Sequence, residues 1–374
     1  MNRSLDQLDA DPRMLLELPT PILSVYLAHL DQATDDPEAR RLATVALLAA
    51  LGATEAQTEI VEDAFAEAEP GRPARALFVG ADGAHHACEL PGSPVPDLVL
   101  SAGVPHLTPL LAWRQAHPAY VLALLDRAGA DITVQPEQGG PSVTTTVTGP
   151  DDDGGADDPA GWSRPRYRPG ADASWRDNAR RAADEVAAAL DCFGARILLS
   201  GGDVRAVQCF TDALPPRIRH TVTMAKIGGS RHADGAWPPR ALRVAEKVAA
   251  LVRERTEDLL AELSDSGGTG GTDGTGGCAV DRPSAVIRAL AQGRVRTLLV
   301  SEAPDRNRTA WFGSGPAEVA VHRDELPGQD PAPRYGPLTD VAVRAAVLAG
   351  ADVRILPAGT PGSPISGLAA ICRD

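Results

Sequence analysis

Lysine is almost missing from this 374-residue chain: Lys226 and Lys247 are the only two, so nearly every basic residue is an arginine. Aromatic residues are scarce at 4%, and acids outnumber bases by 50 to 36, a formal charge of −14. A surface this negative repels phosphate backbones, which excludes a protein coated all over in cations; any contact with nucleic acid has to be local. Cysteine is thin as well. Cys88, Cys192, Cys209, Cys278 and Cys372 are odd in number, far apart and without a C-x-x-C pair, the usage of reduced thiols rather than of a disulfide framework. Long hydrophobic runs are lacking too. The longest, near Leu42 to Leu51, is too short to cross about 30 Å of hydrocarbon, and residues 1–19 carry acids where a signal peptide needs its apolar stretch. The expectation is a cytoplasmic protein with no membrane partner.

What remains is 43% hydrophobic, enough for real cores, and at about 150 residues per domain the length suggests two or three domains. The first segment, to about Trp113, reads as an α/β module. It has a strand over Ile22 to Leu30, helices over Pro37 to Leu51 and Glu55 to Ala68, and a hairpin from Ala74 to Leu90 turned by Ala81, Asp82 and Gly83. The next segment opens on a hairpin, Tyr120 to Leu125 and Ala130 to Val134, followed by a β-branched strand at Ser142 to Thr148. A helix is expected from near Ser174, where Ser174 and Asp177 have capping-box spacing and Trp175, Ala179, Ala182, Val186 and Leu190 share a face. Ile197 to Leu199 reads as another strand. A longer helix is expected from Pro239 to about Leu263, burying Ala245, Val248, Val252, Leu259 and Leu263. Ser264 to Gly277 reads as a flexible Gly/Thr tether. Beyond it come a helix over Pro283 to Gln292, a strand over Val295 to Val300, a helix over Leu338 to Ala349 and a strand over Val353 to Leu356. The expected fold class is α/β, with three domains at 1–113, 114–263 and 279–374 and a linker at 264–278.

Most candidate chemistry dissolves on inspection. The glycine-rich tether leaves a helix rather than a strand and lacks the G-K-[ST] ending of a phosphate loop, and no serine sits in a G-x-S-x-G elbow. His85 and His86 are adjacent on a strand and so point to opposite faces; with Cys88 they read as hairpin surface, not a metal site. His29, His106, His117, His220, His232 and His322 are isolated in sequence, and the cluster Asp151, Asp152, Asp153, Asp157 and Asp158 lacks the spacing of a calcium loop. Neither a metal nor a cofactor is expected.

The segment from Gly161 to Arg181 is different. Arg164, Arg166, Arg168, Arg176, Arg180 and Arg181 stand there against only Asp172 and Asp177, interleaved with Trp162, Tyr167 and Trp175. Guanidinium forks clamp phosphate oxygens, and aromatic faces stack on unpaired bases. Screening over about 8 Å insulates such a patch from distant acids. Two readings stand side by side: the arginines grip RNA, or they pair with the neighbouring aspartates.

The order of these parts resembles the archaeal and eukaryotic class of translation termination factor in its bacterial branch, similar to Pelota, the Vms-type peptidyl-tRNA hydrolases and the hibernation factor Balon. The stretches that carry the likeness are AYVLALLDRAGADITV, GWSRPRYRPGADASWRDNARRAADEVAAAL, and ALAQGRVRTLLV with DVAVRAAVLAGADVRILP. The resemblance implies a ribonuclease-H-like middle domain and a C-terminal domain like release-factor domain 3. It also implies a tRNA-shaped protein in the ribosomal A site, acting in hibernation, protection or rescue. The place of the family's Gly-Gly-Gln is held by Ala160, Gly161 and Trp162, and an indole has no amide with which to position water, so no catalytic residue is named. Gly161, Trp162, Ser163, Arg164, Arg166, Tyr167, Arg168, Arg176 and Arg180 are the expected contacts to ribosomal RNA or the tRNA acceptor end. Elongation factor Tu is the implied protein partner, and DNA is not expected to be one. The alternatives are a peptidyl-tRNA hydrolase acting on stalled ribosomes and a protein-interaction scaffold that binds no RNA.

Overall fold

The computed structural model describes residues 11–28, 36–66, 73–137, 140–148, 169–232, 239–267, 279–302, 307–327 and 332–373. They form a mixed α/β protein of two compact units, Ala116–Arg253 and a second made from both ends of the chain, Met1–Gln115 with Glu254–Asp374.

The first end begins with α1 (Pro12–Leu15), β1 (Ile22–Leu27), α2 (Pro37–Ala50) and α3 (Glu55–Ala66). It continues with β2 (Ala74–Val79), β3 (His85–Leu90), β4 (Leu98–Ala102) and α4 (Thr108–Ala116). Its four strands form an antiparallel sheet in the order β3-β2-β1-β4. β1 is buried along its whole length, because both faces of the sheet are covered. Leu23, Val25 and Leu77 pack against Leu48, Val61 and Ala64 of α2 and α3, while Ile22, Tyr26 and Phe78 face the other way.

The Ala116–Arg253 unit starts with β5 (Tyr120–Leu125), β6 (Gly129–Gln135), β7 (Val143–Thr148) and α5 (Pro169–Cys192). After these come β8 (Ile197–Gly202), α6 (Val204–Ala213), α7 (Pro216–Thr221), β9 (Thr223–Lys226) and the first half of α8 (Arg240–Gly267). The sheet order is β7-β6-β5-β8-β9, with the first three strands antiparallel and β8 and β9 parallel to β5. Ala179, Ala182, Val186 and Leu190 of α5 pack with Phe210 of α6 on Val121, Ile132 and Leu198. On the opposite face Leu122, Leu124, Leu199 and Ile227 meet Val244, Val248 and Leu251 of α8.

The last stretch holds β10 (Ala279–Val280), α9 (Pro283–Ala291), β11 (Val295–Ser301), β12 (Thr309–Phe312) and β13 (Val319–Ala320). It ends with β14 (Arg334–Pro337), α10 (Leu338–Leu348), β15 (Asp352–Leu356) and β16 (Leu368–Cys372). β10-β16-β11-β15 form one sheet and β13-β12-β14 a small second one. Leu259 and Leu260, from the second half of α8, cover Leu299, Leu356 and Ile371. One continuous core joins the two chain ends, from Leu15, Tyr26 and Phe78 to Leu298, Val341 and Leu368.

The structure corrects several expectations. α5 begins at Pro169, so Ser174 and Asp177 lie inside the helix rather than at its cap. Ala245 is exposed; Val244 and Leu251 hold the buried stripe, a shift of one position in a helix whose alanines give periodicity little to work with. α8 runs on to Gly267, into the stretch read as a tether, and residues 268–278 lie outside the described ones, Cys278 among them. Cys88 is not hairpin surface but sits in the main core. The Asp151 to Asp158 cluster and His29 also lie outside the described residues.

Candidate nucleic-acid interface

Three tight structures meet at the end of the sheet where β5 and β8 terminate. Between β5 and β6 the chain reverses through Asp126, whose Oδ1 accepts from the backbone N–H groups of Ala128 (2.8 Å) and Gly129 (3.0 Å) and leaves Arg127 exposed at the tip. Asn178, nine residues after the first residue of α5, donates its side-chain amide to the Arg127 carbonyl at 3.0 Å, which ties that part of the helix to the turn. The third structure is the start of α6. Asp203 caps it by accepting from Arg205 and Ala206, and its own backbone N–H bonds the Leu125 carbonyl at 2.8 Å.

Arginines crowd this end. The Arg205 guanidinium lies 5.6 Å from the ring centroid of Trp175, whose other contacts are with the core. Arg231 reaches in from the loop after β9 and bridges Asp126 (3.0 Å) and Asp131 (2.9 Å). Its hydrogen bond holds the Asp131 carboxyl below the ordinary carboxylate range, and the Arg231 pKa rises in return. Arg240, at the start of α8, donates to the carbonyls of Ser230 (2.6 Å) and His232 (2.8 Å) and so fixes that loop. Arg231 and Arg240 are thus framework, whereas Arg127, Arg176, Arg180, Arg181 and Arg205 have exposed positions. Arg180 makes one long contact, 3.7 Å to Asp177 on its own helix, and exposed pairs of that kind contribute little.

Of the residues singled out in sequence, Arg176 and Arg180 are placed on the exposed side of α5, while Gly161, Trp162, Ser163, Arg164, Arg166, Tyr167 and Arg168 lie outside the described residues. Arg127, Arg205, Arg231 and Arg240 escape a reading of the sequence because they are scattered along more than a hundred positions. Only Arg127, inside an obvious hairpin turn, leaves any signal. Among the described residues no group of three or more His, Cys, Asp or Glu side chains could hold a metal ion, and no helix is long and apolar enough to cross a membrane.

The family model of bacterial archaeo-eukaryotic release factor family 2 matches residues 119–269. The release-factor resemblance, bacterial branch, holds. The matched stretch takes in the whole sheet from β5 to β9 together with α5 and α8, and therefore the arginine-lined end. Two curated relatives extend along nearly the full chain: Uncharacterized protein Rv2629 of Mycobacterium tuberculosis strain H37Rv and its counterpart in strain CDC 1551. Each is 24% identical over 380 residues, covering 96% of this chain and 95% of the relative. Solved structures that the chain matches include archaeal translation termination factor aRF1 (15% identity, 97% of this chain and 96% of that one, TM-score 0.23). Archaeoglobus fulgidus Pelota (17%, 80% and 79%, 0.29) and S. cerevisiae Dom34 (10%, 80% and 79%, 0.39) are others.

Proposed function

We propose that this protein is a cytoplasmic ribosome-binding factor, a tRNA mimic that enters the A site in hibernation, protection or rescue, with residues 161–181 directed at the peptidyl transferase centre. The observation that carries the reading is the arginine-lined end of a unit that matches a release-factor family: the chain between β7 and α5 leaves and re-enters the fold there, flanked by Arg127, Arg176, Arg180 and Arg205. In this reading Trp162 and Tyr167 stack on exposed bases, and Arg164, Arg166, Arg168, Arg176 and Arg180 hold phosphates. The three-domain division at 113, 263 and 279, and a partnership with elongation factor Tu, belong to the same proposal.

Ribosome cosedimentation across a salt series tests it. Replacing Arg164, Arg166 and Arg168 together by Ala is expected to weaken pelleting and to flatten the salt dependence by about 0.7 to 0.9 for each phosphate left without its guanidinium. Replacing Arg127, Arg176 and Arg180 is expected to act in the same direction. If both triple variants pellet with ribosomes as the parent does at every salt concentration, the reading is wrong.

A further inference from the structure

β7 is the last strand of its sheet, and among the described residues it pairs with β6 alone, so its outer backbone edge offers a row of N–H and C=O groups to a further strand. Edges of this kind are ordinarily protected by charge, proline or a bulge. β7 has none of these: it reads Val143-Thr144-Thr145-Thr146-Val147-Thr148, and all of it is exposed except Val147, which is partly so. Its inner edge is well anchored. The Thr144 and Thr133 hydroxyls lie 3.0 Å apart, and Thr146 donates to Asp131 at 3.0 Å.

The sequence of the strand says what would fit it. Residues 143–147 are a palindrome, V-T-T-T-V, centred on Thr145. An antiparallel strand related by a two-fold axis through Thr145 would place valine opposite valine and threonine opposite threonine, with Thr145 facing its own copy. The faces agree as well. Val143, Thr145 and Val147 stand opposite Val134, Ile132 and Ala130, on the side packed by α5, so pairing would cover the half-exposed Val143 and extend that apolar row across the junction. Two chains of net charge −14 repel one another over most of their surface, and this uncharged strand is a place where they can meet without like charges in opposition.

We infer that β7 is a self-association edge, at which two copies of this chain join antiparallel across Thr145 to make one continuous sheet. Five residues of strand span only about 17 Å. A contact of that length is small beside the roughly 1,200 Å² of a stable complex, so the dimer is weak, reversible and strengthened by salt, opposite in sign to binding of RNA.

Sedimentation velocity of the full chain over a concentration series reads this directly. The parent is expected to show a monomer–dimer equilibrium by ~100 µM, tightening as salt rises. Thr145→Lys and Thr145→Glu each put like charges face to face on the axis and are expected to raise the dissociation constant roughly tenfold or more, whereas an equimolar mixture of the two restores association as a heterodimer. Because Thr145 is exposed, both variants should unfold thermally as the parent does, which separates loss of pairing from loss of fold. A parent that stays monomeric throughout, variants that associate as the parent does, or a mixture that fails to re-associate would each overturn the inference.

Discussion

At the scale of single residues, the least legible feature is His106. In sequence it stands alone, yet in the fold it is buried, with Nδ1 donating to Asp340 Oδ1 at 2.8 Å, a partner 234 residues away. The surroundings are built for it: the His106 backbone N–H donates to Ser24 Oγ at 2.9 Å, and the Tyr26 hydroxyl donates to the His106 carbonyl at 2.6 Å. No local pattern could announce a contact of that span. Asp340→Ala strands the imidazole and is expected to cost about 1 to 3 kcal/mol in denaturant unfolding. Tyr26 offers a cleaner test. Burial, the largest cause, raises its pKa well above the ordinary 10.0, so the folded protein keeps this proton at a pH where the unfolded chain releases it. Tyr26 therefore contributes full stability below pH 10, and that contribution falls as pH climbs through the unfolded-state value toward the folded one, by about 1.4 kcal/mol per pH unit. Comparing the alkaline unfolding of the parent and Tyr26→Phe isolates the effect: the variant should be weaker at neutral pH and lose less above pH 10. Parallel curves for the two proteins would contradict it.

Secondary-structure elements are far more legible, for reasons that follow from length and punctuation. The β5–β6 hairpin, α5, α9 and α10 carry their periodicity in uninterrupted apolar positions, and positive-φ glycines end α9 and α10 at Gly293 and Gly350. β9, β13 and α7 span four, two and six residues, too few for any period to register, and they exist because neighbours pair with or cover them. The apolar run of β8 stops at Leu199, although the strand continues through Ser200, Gly201 and Gly202. Those glycines have a physical purpose. Gly202 adopts φ +114°, and a Cβ there would stand 1.9 Å from the Leu125 carbonyl oxygen, because β5 and the start of α6 approach one another at this point. Gly202→Ala is accordingly expected to destabilise the β5–β9 unit by about 2 kcal/mol or more in urea unfolding, and to disturb the neighbouring arginine-lined end. A variant as stable as the parent would show that the strand can shift at no cost.

For the whole molecule, composition sets the right question without answering it. With a net charge of −14, any contact with RNA has to be local, and the run at 161–181 suggests where, but Arg127 and Arg205, exposed at the same end as Arg176 and Arg180, come from other elements. The joining of the two chain ends is the other hidden feature. Each end reads by itself as a plausible α/β module, and nothing local reveals that Phe78 and Leu368 belong to one core.

That shared core dictates an order of events as the polypeptide is made. β16 comes after every other described strand in the chain, yet it lies between β10 and β11 and is buried throughout. The stretch from α1 to α4 must therefore wait for β10 to β16 before the core they share is complete, while the β5–β9 unit, contiguous in the chain, can acquire its structure in between. Nascent chains from which residue 278 has emerged into solution should show protease protection centred on the β5–β9 unit, with Tyr26 and Phe78 still lacking the partners from Leu298 to Leu368 that complete their core.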